Sequence, residues 1–198
     1  MSPTTRNAPS PRSSEPLSAE AWARAALDVI AGGGVDAIAV ERMARQLGVT
    51  KGSFYWHYAD RSALVAAALG LWERRGTLDV IARLRELADP TERLRALFSE
   101  CFGDDPDGAV DGALLARIED PVVGPVVRRV TQRRLAFVEE LYQDLGLGPV
   151  RAARQARIAY SAYVGHTQVR RSLPDDEVLA DPSSAYLRQV LEALAPPG

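Results

Sequence analysis

Apolar positions recur with the 3.6-residue period of an α-helix along almost the whole chain after residue 16. Ser18 is a suitable N-cap for a first helix, in which Trp22 and Ile30 fall on one face. The glycines at 32–34 then end this helix. No stretch shows the alternation of apolar and polar positions, bounded by turns, that a β-hairpin requires. The pattern therefore predicts an all-α protein of about nine helices.

The later helices follow from the same period and from their capping residues. Asp60 and Asp89 are suitable N-caps, and Pro90 suits a first helical turn. Gly76 interrupts the long fourth helix, which it either kinks or ends. The acidic segment 174–182 is predicted to be a loop. The remaining predicted helices lie near residues 40–47, 50–57, 61–87, 90–102, 109–119, 126–145, 150–172 and 183–194.

Residues 1–16 have a different composition, because ten of the sixteen are Ser, Thr or Pro. Such a segment cannot bury a core, so we predict a disordered N-terminal arm. The arm is either a solvated terminus or, through Arg6 and Arg12, a basic extension that contacts DNA phosphates or the minor groove.

Composition excludes several classes of protein. With 198 residues, 46% of them apolar and 25% charged, the chain can bury a globular core. One cysteine and two histidines supply neither an internal disulfide nor the usual ligands of a tetrahedral zinc site. The longest near-apolar run, 63–72, is about half as long as a bilayer crossing requires, and no apolar segment opens the chain. We expect a cytoplasmic protein without metal, cofactor or membrane span.

The stretch 39–64 carries the most specific pattern, that of a helix-turn-helix. Two short predicted helices are joined by a tight turn. Ala44 has the small side chain that two crossing helices need where they approach closely. Gly48 follows four residues later, where the turn needs a positive φ that glycine adopts at little cost. This is the spacing of helix-turn-helix motifs.

Charge and aromatic content support that interpretation. Residues 42–58 contain three basic side chains and no acidic one. Phe54, Tyr55, Trp56 and Tyr58 fall within five positions, so they cannot all face inward. Some must present polar groups outward, where they can contact phosphate oxygens. An ordinary helical hairpin with its aromatic rings packed inside is the alternative.

The same residues resemble the DNA-binding domain of the TetR family of transcriptional regulators. The matching positions are Met43-Ala44, Gly48-Val49, Gly52-Ser53-Phe54-Tyr55, His57-Tyr58, Arg61 and Leu64. The resemblance runs from near residue 17 to residue 64, and the later helices fit the family only in number and length.

Three positions depart from the family pattern. Ala39 replaces the usual Thr or Ser, so the second helix lacks a capping hydroxyl. Glu41 suits the positive end of the helix dipole but repels phosphate. Arg61 replaces the usual Lys, which keeps the charge and changes the donor geometry.

The resemblance implies roles for individual residues. It implies that Tyr55, His57 and Arg61 hold the DNA backbone, and that the residues from Thr50 to Ser53 face base edges, with Lys51 donating to guanine. The complete implied set is Arg42, Arg45, Thr50, Lys51, Gly52, Ser53, Tyr55, Trp56, His57 and Arg61.

The resemblance also implies the organisation of the chain and its partners. Residues 17–62 form the helix-turn-helix domain and residues 63–198 an effector-binding and dimerisation domain. The expected function is a homodimeric repressor, released from a palindromic operator on double-stranded DNA by a small-molecule effector. The expected effector residues, for each of which plain core is the alternative, are Trp72, Phe98, Cys101, Phe102, Leu114, Ile118, Val127, Tyr163 and His166. The resemblance favours a dimer interface over the alternative, intramolecular core, for a further set of residues. These are Ala152, Ala156, Ala159, Tyr160, Leu187, Val190, Leu191 and Leu194.

Two other classes of protein remain open. One is an all-helical ligand-binding or interaction module without DNA binding. The other is an enzyme built on Cys101 and His166. We predict no enzyme, because Cys101 lies on the apolar face of its helix and no known catalytic or nucleotide-binding motif is present.

Overall fold

The computed structural model describes residues 17–103, 108–180 and 185–195. Within these ranges all regular structure is helical, which confirms the all-α prediction. The predicted arm at residues 1–16 lies outside the described residues. No helix in the described ranges is long and apolar enough to cross a membrane.

The helices are numbered in chain order. They are α1 (Ala19–Gly33), α2 (Val40–Gln46), α3 (Lys51–His57), α4 (Arg61–Glu73), α5 (Asp79–Arg85), α6 (Pro90–Phe102), α7 (Gly108–Leu115), α8 (Val123–Asp144), α9 (Pro149–Ser172), α10 (Glu177–Ala180) and α11 (Ala185–Leu194). With α4 and α5 taken as one interrupted helix and the single turn α10 set aside, the described residues contain nine helices, as predicted.

The predicted caps begin the helices they were assigned to. The Ser18 hydroxyl accepts a hydrogen bond from the Ala21 N–H (3.2 Å), which starts α1. The Asp60 carboxylate accepts one from the Ala63 N–H (2.8 Å) and starts α4. Asp89 does the same for α6. Each cap satisfies a backbone donor that the first helical turn leaves without a partner.

The long fourth helix is interrupted around Gly76, as predicted. The segment Arg74–Leu78 forms a π turn that joins α4 to α5. Arg134 of α8 stabilises this wide turn by donating to the Gly76 carbonyl (3.1 Å) and to the Thr77 hydroxyl (2.9 Å). The acidic segment predicted to be a loop contains the short helix α10.

The buried apolar residues form two clusters. The head core joins α1–α4 to α7 and the first half of α8, through residues such as Trp22, Phe54, Leu114 and Val127. The body core joins α5, α6, α9, α11 and the second half of α8. The boundary expected between residues 62 and 63 therefore does not separate the two cores, because α4 and α7 complete the head core.

A surface ion pair also joins two segments of the head core. Arg117, in the turn after α7, lies 2.6 Å from Asp36, in the 3-10 turn Val35–Ala37 after α1. The pair adds a polar contact to the apolar packing of α7 on α1.

Candidate nucleic-acid interface and ligand cavity

The turn between α2 and α3 has the predicted geometry. Gly48 has φ 68°, a left-handed conformation that disfavours any side chain. The Val49 N–H donates to the Ala44 carbonyl (3.0 Å), which closes the turn over a 4% exposed alanine. Thr50 then caps α3 by accepting from the Ser53 N–H. The two helices are thus held at a fixed angle.

The inward face of α3 anchors it to α1. Phe54 is buried and meets the Trp22 ring edge-on, with 5.4 Å between the ring centroids. The Tyr58 hydroxyl donates to the Ala19 carbonyl (2.6 Å), and His57 Nε2–H donates to the Leu17 carbonyl (2.7 Å). The imidazole that was predicted to contact the DNA backbone is therefore also a link between α3 and the start of α1.

The outward face of α3 is unusually aromatic for exposed surface. Trp56 is 88% exposed and Tyr55 is 57% exposed. Lys51 and Gly52 are exposed on the same helix. A Cβ added at Gly52 would meet only the Thr50 hydroxyl oxygen, at 3.6 Å, an ordinary contact. Nothing inside the described protein therefore requires a glycine at position 52.

Several of the predicted DNA-contacting cations already bond to protein groups. Lys51 Nζ lies 2.8 Å from the Glu41 carboxylate on the exposed surface. Its hydrogen bond and charge lower the pKa of Glu41, and Glu41 in turn raises the pKa of Lys51. The Arg61 guanidinium donates to the Val35 (2.7 Å) and Ile38 (3.1 Å) carbonyls.

Arg42 and Arg45 are both exposed on α2. The Arg42 guanidinium donates to the Ala37 carbonyl. Arg42 and Arg61 therefore both hold the segment between α1 and α2 in place, in addition to any contact with DNA.

A cavity of about 130 Å³ lies in the body between the π turn, α5, α6, α8 and α9. Four of the nine predicted effector residues line it: Phe98, Cys101, Phe102 and Tyr163. The others that line it are Arg75, Gly76, Thr77, Val80, Ile81, Leu97, Glu100, Arg134, Phe137, Val138, Ala159 and Tyr160.

Two residues that line the cavity, Arg134 and Tyr163, belong to a buried polar network centred on Asp111 of α7. This 4% exposed carboxylate accepts hydrogen bonds from Trp72 Nε1–H (2.7 Å), from the Tyr163 hydroxyl (2.8 Å) and from Arg134. Burial disfavours the charge of Arg134, but the adjacent Asp111 carboxylate outweighs this and holds the pKa of the guanidinium above its usual value. The donors come from α4, α8 and α9 and the acceptor from α7, so this network joins four helices.

A second ion pair ties α4 to α8. Glu73, at the end of α4, accepts two hydrogen bonds from Arg129 (2.9 and 2.5 Å) and one from Arg133 (2.7 Å). The hydrogen bond from Arg129 lowers the pKa of Glu73. A two-point Arg–carboxylate contact of this kind fixes orientation as well as distance.

Five predicted effector residues lie away from the cavity. Leu114, Val127 and Ile118 belong to or pack against the head core, because α7 and the start of α8 pack on α1. Trp72 lies in the same core and does not line the cavity. Its indole contacts two groups near it, the Asp111 carboxylate and the guanidinium of Arg134, which lies over the ring at 5.4 Å. His166 stacks on Tyr186 of α11, with 5.6 Å between the rings, and contacts Phe102.

Sequence reasoning missed Arg134 and Asp111, although α8 carries a signal. Its buried positions Val123, Val127, Val130, Phe137 and Leu141 recur every three or four residues. Arg134 fills the gap in that series between Val130 and Phe137. A charged residue on the core face of a helix requires a buried partner, and this pattern could have found it.

The small residues of α9 that were expected at a dimer interface are buried within the chain. Ala152, Ala156 and Ala159 are at most 2% exposed and pack in the body core, so a second copy cannot reach them. Tyr160 lines the cavity.

The residues of α11 that were expected at that interface also contact the body. The 4% exposed Leu194 accepts a hydrogen bond from the Tyr142 hydroxyl through its carbonyl. Leu187, Val190 and Leu191 are half-buried against the same core. All these side chains face inward because α9 and α11 cover the apolar faces of α6 and α8.

A second line of apolar residues lies beside the buried face of α9 and is largely exposed. Ile158 (56% exposed) and Val169 (44% exposed) are separated by half-buried Ala162 and exposed Gly165. Leu173, just beyond the helix, continues the spacing and is 52% exposed. We call these five residues the outer stripe. An exposed apolar stripe at helical spacing indicates a surface that another helix covers.

Comparisons with known proteins agree with this architecture. Residues 23–80 match the model of the bacterial regulatory proteins of the tetR family. No curated protein matches the sequence.

Solved structures share the fold over nearly the whole chain. A transcriptional regulator from Rhodococcus sp. Rha1 is 23% identical, with a TM-score of 0.70 over 89% of this chain and 93% of that one. A TetR-family regulator from Agrobacterium tumefaciens is 20% identical, with a TM-score of 0.69 over 89% and 98%. FadR from Bacillus subtilis, in complex with stearoyl-CoA, is 15% identical, with a TM-score of 0.66 over 87% and 95%.

Proposed function

Because this chain belongs to the tetR family of bacterial regulatory proteins and has the fold of its transcriptional regulators, we propose that it is a homodimeric repressor released from a palindromic operator by a small molecule. The observation that carries the proposal is the exposed, cationic and aromatic face of α3, held rigidly by a helix-turn-helix.

The DNA contacts follow from that face. Trp56 and Tyr55 are too exposed to serve the core, and Gly52 has no internal reason to be a glycine. Both features suit a helix that enters the major groove, where a small residue lets the backbone approach DNA and a tyrosine hydroxyl reaches a phosphate. Lys51 exchanges the carboxylate of Glu41 for a guanine edge or a phosphate when DNA binds.

A dimer is proposed because one such helix reads only a half-site. Two copies separated by about one helical turn of DNA double the contacts and favour a palindrome. The outer stripe of α9 is the surface that we assign to the second copy, since the inner alanines are already buried. Such a C2 contact would place the same stripe on both sides of the interface.

The cavity is proposed as the effector site, and the Asp111 network as its link to the head. Arg134 and Tyr163 line the cavity and also bond to Asp111, which holds Trp72 of α4. A ligand that moves either side chain therefore shifts the position of α4. Through α4 it changes the distance between the α3 helices of the two copies. Release requires that the ligand bind this shifted state more tightly than the DNA-bound one.

Selection of bound duplexes from a random DNA pool tests the function. We expect a palindromic consensus whose recovery falls as salt concentration rises. Wild-type protein and a Tyr55→Ala, Trp56→Ala variant are compared, because both side chains are exposed and their loss leaves the fold intact. Recovery of no consensus by the wild type, or of the same consensus at the same affinity by the variant, rejects the proposed interface.

A further inference from the structure

The walls of the cavity are mainly aliphatic and aromatic. Phe98 and Phe102 of α6, Phe137 and Val138 of α8 and Val80 of α5 all line it. Phe98 and Phe102 meet edge-on at 6.0 Å between centroids. These five side chains favour an apolar ligand, because none of them can form a hydrogen bond.

The volume of the cavity limits the size of the ligand that it can hold. A cavity of about 130 Å³ is close to one of about 150 Å³ that holds benzene in another protein. A long acyl chain, such as that of the stearoyl-CoA bound by the FadR neighbour, exceeds this volume. The cavity therefore fits a single ring or a short branched chain.

The charged residues that line the cavity differ in whether another residue neutralises them. Arg134 is neutralised by Asp111, and Glu100 is paired with Arg83 at 2.6 Å. Arg75, on the π turn, also lines the cavity, is exposed and has no ion pair within the described part of the chain. The charge left without compensation is therefore positive, and it belongs to a residue that both lines the cavity and reaches solvent.

We propose that the cavity binds a compact apolar carboxylate, about the size of a substituted benzene ring, with its carboxylate at Arg75 and its ring among Phe98, Phe102 and Phe137. An ion pair with a guanidinium requires an anion, and a carboxylate matches its planar donors best. The proposal rests on the proposed function only in that it takes this cavity to be the effector site.

Calorimetric titration of the full chain with three probes tests the ligand class. The probes are benzoate, its neutral analogue benzyl alcohol, and stearate. We expect benzoate to bind about tenfold more tightly than benzyl alcohol, because only the anion gains the Arg75 contact. We expect stearate to bind more weakly than benzoate. Equal affinity for benzoate and benzyl alcohol, tighter binding of stearate, or no binding of benzoate overturns the proposal.

Two neighbouring arginines provide matched variants. Arg75→Gln should lower the affinity for benzoate about tenfold and leave that for benzyl alcohol unchanged. Arg74→Gln removes an equally exposed charge that does not line the cavity, and should leave both affinities unchanged. An equal loss in the two variants would mean general attraction by surface charge, and would overturn the assignment.

Gel shifts on the same preparations separate this proposal from the proposed function. A chain that binds benzoate but no DNA rejects the regulator and leaves the ligand class standing. A chain that binds its selected operator but not benzoate rejects the ligand class alone.

Discussion

Gly48 and Gly52 lie close together at the start of α3 but serve different purposes. Gly48 has a positive φ, whereas Gly52 lies in a regular helix where an added Cβ would make only an ordinary contact with the Thr50 hydroxyl oxygen. The first glycine is explained by the turn itself. The second is explained only by something that approaches α3 from outside.

Alanine substitutions at the two positions should therefore have opposite effects. Gly48→Ala should lower the free energy of unfolding by about 1 kcal/mol, because alanine disfavours a left-handed conformation. Gly52→Ala should leave stability unchanged or slightly raised and weaken operator binding. Urea unfolding and gel shifts measure the two effects, and a Gly52→Ala variant with full DNA affinity would contradict the assigned approach of DNA.

Lys51 should contribute to sequence-specific affinity. Lys51→Ala is expected to weaken binding to the selected operator by about 1–3 kcal/mol, since a base contact is lost. Arg83→Ala is the control, because Arg83 forms an equally exposed ion pair in the body. Fluorescence anisotropy with labelled operator measures both variants, and equal losses would remove the special role of Lys51.

At the scale of the helices, the Asp111 network is what joins α4, α8 and α9 at one point. Its buried charge is stabilising only while every partner is present, because removing one partner of a buried ion pair leaves the other without compensation. The three donors to Asp111 come from separate elements, so a single substitution at this carboxylate loosens all three.

Asp111→Asn should lower the free energy of unfolding by about 3 kcal/mol or more, because it leaves Arg134 buried without its counter-charge. Asp36→Asn breaks the exposed pair with Arg117 and should cost less than about 1 kcal/mol. Chemical denaturation measures both. A small effect of Asp111→Asn would show that the network does not hold α4.

The contact between α9 and α11 should weaken in acid. Burial, and then the positive charge of Arg170, lower the pKa of His166, which stacks on Tyr186. The folded protein thus favours the neutral imidazole. The stability from this site is present above the unfolded pKa of about 6.5 and is lost as pH falls below it and through the lowered folded value.

Thermal unfolding between about pH 7.5 and pH 5 measures this loss. His166→Phe keeps the stacked ring and should flatten this part of the pH dependence. His57→Gln is the control, because the chain has two histidines and His57 is exposed. If the His166 variant loses stability with falling pH as steeply as the wild type, other groups cause the loss.

For the whole molecule, α9 is the helix that we expect to determine how two copies assemble, because it carries both a buried apolar face and the outer stripe. The inner face of α9 is buried by the body. Four of the five residues of its outer stripe are exposed, and Ala162 is half-buried against the body core. Burial of the stripe by a second copy is the arrangement that we propose. It would hold two head cores at a fixed distance from each other.

Charge placed on the outer stripe should separate the copies. Ile158→Asp combined with Val169→Asp should convert a dimer into a monomer, because two copies would bury four uncompensated carboxylates. Val178→Asp is the control, because Val178 is 59% exposed and lies off the stripe. Sedimentation measures mass, and affinity for the palindrome should fall with the loss of the dimer. If the double variant is still a dimer, the interface does not include the outer stripe.

Helix positions, caps and the α2–α3 turn were predictable from the sequence alone. Each depends on residues within a few positions of one another, such as Ser18 with Ala21, or Ala44 with Gly48 and Val49. Local hydrogen bonds and backbone conformation are set at that range, and the tertiary fold leaves them unchanged. The exposed aromatic residues of α3 were predictable for the same reason.

Only the tertiary structure decided which apolar face of α9 is buried and which residues line the cavity. The sequence of α9 predicted a line of small and aromatic residues without saying which neighbour covers it. Asp111 meets Trp72 and Tyr163, 39 and 52 residues away along the chain, and no local pattern predicts such a meeting. A helix specifies its own faces through its repeat, whereas the partner of each face depends on how all the helices pack together.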